Sequence, residues 1–136
     1  MFVPFRCIAS DIARKKSIVF RQGDLGRAVR ASSAYPFYFR PATIDGKILY
    51  DGGMYNNFPA DILQYEFHPD FIIGINASGD DRPTSETDLV SLLQAMMTTP
   101  TDLSMKAGTS FLIDLNMDKF GLFDFTNVKK IGRAHV

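Results

Sequence analysis

Residues 43–53 have the sequence TIDGKILYDGG, and their pattern indicates how the centre of the chain folds. Two apolar arms flank Asp45-Gly46, a dipeptide that suits a type I′ turn because both central residues of that turn need positive φ. The sequence therefore predicts a β-hairpin whose second arm covers residues 47–50. That arm runs directly into Asp51-Gly52-Gly53, so a carboxylate stands at the end of a strand beside two residues without side chains.

Upstream of the hairpin, the pattern alternates between strand and helix. Short apolar runs at residues 5–9 and 17–20 predict two strands. Asp24 predicts the N-cap of a helix that Pro36 ends, with Arg27 and Arg30 toward solvent. The buried side of this helix is predicted from its apolar spacing to be Leu25, Ala28 and Val29.

Downstream of the hairpin, three further helices and two strands are predicted. Pro59 suits the first turn of a helix, where its missing N–H costs nothing. Residues 71–75 are apolar on both faces, which is typical of an interior strand covered on two sides. A shorter strand is predicted at residues 111–113 and a final helix at 126–133. The predicted buried stripes are Ile62, Leu63 and Phe67 in one helix, and Leu89, Leu92, Leu93, Met96 and Met97 in the next, with Ser85 and Asp88 as its capping pair.

Composition limits the function classes. The length of 136 residues fits one domain, and no repeat or linker divides it. Lys+Arg and Asp+Glu both number 15, so a strongly basic nucleic-acid binder is not expected. One cysteine and two histidines give no metal-site spacing, and no metal or cofactor is predicted. We expect neither a signal peptide nor a membrane span, and the pattern predicts no compartment.

The reactive residues of the chain do not form a familiar catalytic set. No serine stands in G-x-S-x-G, and residues 75–79 come nearest without the first glycine. His68 precedes Pro69 in a turn and His135 lies next to the last residue, so both are expected at the surface. Asp51 differs from the other acidic residues through its strand-end position. Asp-Gly-Gly alone, however, is also typical of an ordinary turn.

The sequence around Asp51 resembles the second half of the patatin-like phospholipase domain. Several ordered blocks carry the resemblance over residues 5–76. They are IASDI at 8–12, LGRAVRASSAYP at 25–36, FRP at 39–41, IDG at 44–46, YDGGMYNNFP at 50–59 and DFIIGI at 70–75.

The resemblance implies a three-layer α/β/α sandwich and a serine acyl hydrolase with a Ser–Asp dyad. It places the dyad aspartate at Asp51, and Gly52, Gly53, Asn57 and Pro59 are the supporting residues of the same motif. It also places Ser33, Pro36 and Phe39 near an acyl pocket. From the residues alone, packing is the first expectation for this loop, and Phe37, Tyr38 and Phe39 are expected in the core.

The family's glycine-rich oxyanion loop and its G-x-S-x-G serine have no counterpart here. We therefore expect residues 1–136 to be the C-terminal portion of one patatin-like domain, inactive alone. The implied partners are a lipid or acyl-ester substrate, the missing N-terminal half and a membrane surface contacted peripherally, and no nucleic acid. Two alternatives stay open: a non-catalytic remnant or interaction module with this architecture, and an unrelated α/β ligand-binding domain in which Asp51 is a turn residue.

Overall fold

The computed structural model describes residues 3–78, 89–105, 110–115 and 117. Within these residues the protein is a mixed α/β structure. The predicted final helix and the capping pair Ser85 and Asp88 lie outside the described residues. The strands are β1 Cys7–Asp11, β2 Lys16–Phe20, β3 Ala42–Ile44, β4 Lys47–Asp51, β5 Ile72–Asn76 and β6 Ser110–Asp114, and the α-helices are α1 Leu25–Ser32, α2 Ala60–Phe67 and α3 Leu89–Met97.

The first four strands form an antiparallel sheet in the order β2-β1-β4-β3. The predicted hairpin is confirmed: β3 and β4 are joined by Asp45 and Gly46, whose φ angles of 51° and 71° are both positive. β5 and β6 form a separate parallel pair. A short 3-10 helix, Gly52–Met54, follows β4 and connects the hairpin to α2.

Helix α1 lies on the antiparallel sheet and closes its core. Asp24 caps it as predicted, because the Asp24 carboxylate accepts the Arg27 N–H at 2.7 Å. The predicted buried side is wrong for Leu25 and Val29, which are exposed. Small residues, Ala28 and Ala31, face the sheet instead and let the helix approach closely. The core cluster consists of Ala9, Ala31, Ala42 and Leu49, with Ile18, Phe20 and Ile44 packed against it.

Helix α2 begins directly after Pro59, as predicted, and ion pairs of Glu66 connect its last turn to the antiparallel sheet. Glu66 accepts hydrogen bonds from Arg6, at the start of β1, and from Arg21, just after β2. Of the predicted buried side chains, Ile62 and Phe67 are half-buried, whereas Leu63 is exposed.

The predicted interior strand is covered on one face only. In β5, Ile72, Gly74 and Asn76 are buried, whereas Ile73 and Ile75 are 64% and 61% exposed. Their register partners in β6 extend the same face, which we call the apolar face; it consists of Phe71, Ile73, Ile75, Phe111 and Ile113. Composition predicts an apolar strand, but a second covering layer depends on tertiary neighbours. The same reason applies to α3, where Leu89, Leu93 and Met96 of the predicted buried stripe are exposed.

Candidate active site

Asp51 ends β4 and lies at the edge of the antiparallel sheet. Its N–H donates to the carbonyl oxygen of Ala34 at 3.1 Å, and it stands opposite Ala9 of β1 in the sheet register. Its side chain accepts the N–H of Gly53 at 2.8 Å. The backbone of Asp51 is therefore fixed by Ala34 and β1, and its half-buried carboxylate by the N–H of Gly53.

Strand β1 supports the turn that follows Asp51. A methyl group on Gly52 would overlap the carbonyl oxygen of Ile8, so only glycine lets the two backbones come this close. The buried Ser10 hydroxyl also donates to the carbonyl oxygen of Gly52 at 3.4 Å. The first glycine of Asp-Gly-Gly is thus a packing requirement, and it fixes where the strand ends.

The electrostatic setting of Asp51 is that of a desolvated acid. Burial raises the pKa of the Asp51 carboxyl above that of an ordinary aspartate, and the Gly53 N–H opposes part of this rise by stabilising the charged form. No ion pair between described residues includes Asp51. The basic partners in those pairs are Arg6 and Arg21 with Glu66, and Arg14 with Asp11.

A polar cluster from distant parts of the chain meets the turn after Asp51. Asn57 donates through Nδ2 to the Ser78 hydroxyl at 2.7 Å and to the Thr101 hydroxyl at 3.1 Å. Thr99 bonds the carbonyl oxygen of Met54 twice, with its N–H at 2.8 Å and its hydroxyl at 3.2 Å. Segments that follow β5 and α3 therefore hold the 3-10 helix and its exit.

This cluster continues to the carboxyl ends of the parallel strands. Ser78 N–H donates to the Asn76 side chain at 3.1 Å, and Asn76 donates to the Asp114 carboxylate at 3.0 Å. Sites in parallel sheets form at such strand ends. The sequence analysis missed Asn76, Ser78, Thr99 and Thr101 as contributors. The one local signal was a polar pair, Asn76 and Ser78, at the end of an apolar strand, whereas the threonines carry no signal in the sequence.

The loop of residues 33–39, predicted to lie near an acyl pocket, contacts Asp51 because the Ala34 carbonyl oxygen accepts the Asp51 N–H. The side chains of this loop differ in exposure. Pro36 is buried, and the exposed Ser33 uses its hydroxyl to bond the Val29 carbonyl oxygen at 3.0 Å. Phe37, Tyr38 and Phe39 are exposed, so the expectation of core packing is wrong for all three. Phe37 has a φ of 71°, which turns the chain outward here.

Among the described contacts of His68, none reaches Asp51. His68 is exposed in a left-handed conformation at the end of α2, as a surface turn residue should be, and His135 is outside the described residues. A cavity of about 380 Å³ is lined by residues 3–7, 20–25 and Ala28, and does not include Asp51. In the described part of the chain, no group of three metal-ligating side chains occurs. Nor does any helix there have the length and apolarity for a membrane span.

The fold and the site define a mixed α/β protein with a backbone-fixed, half-buried carboxylate where a strand of an antiparallel sheet ends. Residues 8–63 match the family of patatin-like phospholipases. This matched segment contains Asp51, both following glycines, Asn57 and Pro59, together with the loop of Ser33, Pro36 and Phe39.

Individual relatives carry related names. The chain is 39% identical over 57 residues, 42% of its length, to an uncharacterized NTE family protein of Mycobacterium bovis, of which this covers 16%. It is 34% identical over 98 residues, 71% of its length, to patatin-like phospholipase domain-containing protein 7 of Mus musculus, of which this covers 7%. Protein 6 of the same name in Mus musculus is 35% identical over 91 residues, 65% of the chain and 6% of that protein. The chain therefore spans only a small part of the curated relatives it matches.

Proposed function

We propose that this chain contributes the aspartate of a Ser–Asp dyad to a patatin-like hydrolase of lipid or other acyl esters. The observation that carries the proposal is the state of Asp51 within the matched residues 8–63. Its carboxylate is half-buried, has a raised pKa, accepts the backbone N–H of Gly53 and takes part in no ion pair among the described residues.

These properties suit a general base. As the serine oxygen attacks the ester carbonyl carbon, the serine proton passes to the Asp51 carboxylate and a tetrahedral oxyanion forms. Collapse of this intermediate breaks the ester bond, and the departing alcohol takes the proton back, leaving an acyl-serine. Water then attacks the acyl group with Asp51 again accepting the proton. Breakage of the acyl–serine bond releases the carboxylic acid, and the serine oxygen takes the proton back from Asp51. A raised pKa makes the carboxylate a stronger base for both steps.

The serine and the oxyanion donors must come from polypeptide outside residues 1–136. We propose that these residues are the C-terminal portion of one domain with a three-layer α/β/α architecture. The apolar face of β5 and β6 supports this, because large apolar side chains on one face of a sheet are normally covered by another layer. The chain alone is accordingly inactive, and its partner is the half that bears the glycine-rich loop and G-x-S-x-G.

The exposed aromatic loop suits a lipid substrate and a peripheral membrane contact. Phe37, Tyr38 and Phe39 lie in the loop whose Ala34 bonds Asp51. Aromatic side chains are favoured at the boundary between water and lipid. In co-sedimentation with phosphatidylcholine vesicles, Phe37→Ala with Phe39→Ala should reduce binding several-fold. Tyr65→Ala, an exposed aromatic on α2, should not; equal loss from both would contradict this role for the loop.

The decisive test is turnover of a short-chain nitrophenyl ester by the chain joined to, or co-expressed with, the serine-bearing half. Asp51→Asn keeps the shape and the Gly53 hydrogen bond but removes the base, so turnover should fall by about 10³-fold or more. The matched control is Asp45→Asn in the same hairpin, where the left-handed conformation favours Asn, and it should leave turnover unchanged. Normal turnover in Asp51→Asn would refute the assignment.

The alternative of a non-catalytic interaction module draws on the same apolar face, because such a face also suits association with another protein. It predicts that the completed domain lacks esterase activity whether or not Asp51 is present. In gel filtration, a sharp monomer with cooperative unfolding would count against a missing half. The third reading, an unrelated ligand-binding domain with Asp51 as a turn residue, is disfavoured by the family match over residues 8–63.

A further inference from the structure

The side chain of Asn57 lies beside the Asp51 carboxylate, across Gly53. The position that a Cβ would occupy on Gly53 is 2.7 Å from Asn57 Oδ1 and 3.1 Å from Asp51 Oδ1. The carbonyl oxygen of one side chain and the carboxylate oxygen of the other therefore both lie against Gly53, too close for a side chain at that position. Only glycine lets the two oxygens approach the turn from both sides.

Two hydroxyls fix the direction of the Asn57 amide. Its Nδ2 group has two N–H bonds and uses them toward Ser78 Oγ and Thr101 Oγ1. With both donors engaged on that side, Oδ1 faces the Gly53 side, as the distances above show. The two hydroxyls belong to segments far along the chain, after β5 and after α3, and both lie beyond residues 8–63.

We propose that Asn57 is a positioning residue of the candidate site, whose amide oxygen, oriented by Ser78 and Thr101, forms with the Asp51 carboxylate a paired acceptor for one incoming hydroxyl group. This inference rests on the proposed function, since the hydroxyl it receives is that of the serine or of water. A serine hydroxyl shares its single proton between the two oxygens in a bifurcated hydrogen bond, and a water molecule gives one O–H to each. In both cases the proton passes to the carboxylate, because an amide oxygen accepts hydrogen bonds but is not basic enough to take a proton.

The neighbouring asparagine provides a matched control. Asn56 Nδ2 donates to the Asp61 carboxylate at 3.1 Å, so its side chain is engaged with α2 and not with the Asp51 side of the turn. A charge introduced at position 56 therefore lies next to Asp61 of α2, whereas one at position 57 lies next to Gly53 and Asp51.

The experiment measures the titration of Asp51 by carboxyl ¹³C NMR in the 136-residue chain. Asn57→Asp places a second carboxylate across Gly53, and like charges this close disfavour ionisation, so the Asp51 midpoint should move upward by about one pH unit. Asn56→Asp should leave it nearly unchanged. Equal shifts in the two variants, or none in Asn57→Asp, would overturn the proposal.

A second pair of variants tests whether the Thr101 hydroxyl orients the Asn57 amide. This pair is the test of the proposal if Asn57→Asp does not fold, as judged by loss of the parent's far-UV circular dichroism. Valine has nearly the same shape as threonine but no hydroxyl, so Thr101→Val removes one hydrogen-bond acceptor of the Asn57 amide. The rate at which the Asn57 Nδ2 protons exchange with solvent should rise several-fold. Thr101→Ser should restore slow exchange. Unchanged exchange in Thr101→Val would contradict the proposal. None of these measurements uses turnover, so they stand even if the completed domain proves to be no esterase.

Discussion

Asp11 and Asp51 are both strand-end aspartates on adjacent strands of one sheet, yet their surroundings are opposite. Asp11 ends β1 and is 1% exposed, and its carboxylate accepts the Arg14 N–H at 3.1 Å and the Arg14 guanidinium at 2.8 Å. This partner holds the pKa of Asp11 below its usual range. Among the described bonds, the Asp51 carboxylate accepts only the backbone N–H of Gly53, and burial raises its pKa.

The difference separates a structural carboxylate from one that suits the proposed role of a base. A carboxylate satisfied by arginine is a poor base, because the ion pair stabilises the charged form. A desolvated carboxylate without a counter-ion keeps its affinity for a proton, and perturbed groups of this kind mark functional sites. Asp11 therefore fixes the turn between β1 and β2, whereas Asp51 has the properties that the proposed chemistry needs.

The largest expected effect concerns the packing beneath Asp51. Gly52→Ala forces a methyl group against the Ile8 carbonyl, and we expect the free energy of unfolding to fall by about 3 kcal/mol. Gly46→Ala, which has open space but a φ of 71°, should cost about 1 kcal/mol. Urea unfolding of both variants makes the comparison, and equal losses would show that β1 does not hold the Asp51 turn.

A smaller effect is expected from removing the partner of Asp11. Arg14→Met removes the guanidinium donor of the buried carboxylate and keeps the backbone N–H donor of residue 14, so the pKa of Asp11 should rise and the urea midpoint at pH 7 should fall. The Asp51 titration, followed by ¹³C NMR in the same samples, should stay as in the parent. A shift of Asp51 in this variant would mean that the two carboxylates are not independent.

A third aspartate, Asp24, is exposed and caps helix α1, in contrast to Asp11 and Asp51. Asp24→Ala removes the acceptor of the Arg27 N–H, and we expect a loss of about 1 kcal/mol in the free energy of unfolding. Circular dichroism during urea unfolding measures it. Asp24→Asn is the control because it also caps helices well, and a loss as large as that of Asp24→Ala would contradict the capping role.

The smallest expected effect is a difference in pH dependence. Because the folded state raises the pKa of Asp51, it binds this proton more tightly than the unfolded chain, so stability falls as pH rises from the ordinary aspartate range through the folded pKa. Asp51→Asn should therefore gain stability over the parent as pH rises through that window.

Asp11 should behave with the opposite sign. Its lowered pKa contributes stability above the unfolded value, and this is lost as pH falls through the folded pKa. Asp11→Asn should thus be less stable than the parent at pH 7, with the gap closing in acid. Urea unfolding at a series of pH values measures both variants, and slopes of the same sign would remove the distinction between the two aspartates.

Sequence reasoning succeeded where local chemistry decides the structure. Asp45-Gly46 specifies its turn through φ angles, and Asp24 caps the next helix with its own side chain. It failed where burial depends on segments distant in the sequence. Ile73 and Ile75 of β5 are apolar residues in the sequence whether or not another layer covers them, so the sequence does not indicate their exposure. The partners of Asn57 could not be predicted either, because Ser78 and Thr101 reach it only through the folding of two later segments.

The fit of Gly52 against Ile8 has a consequence for searching genomes. Any protein that keeps this crossing of two backbones must keep glycine at that place, whether it hydrolyses esters or has long since stopped doing so. Retention of the glycine therefore reports an intact scaffold, whereas the residue before it reports whether the proposed chemistry is possible. A survey that scores the two positions separately would distinguish proteins that keep the proposed base from those that keep the scaffold alone.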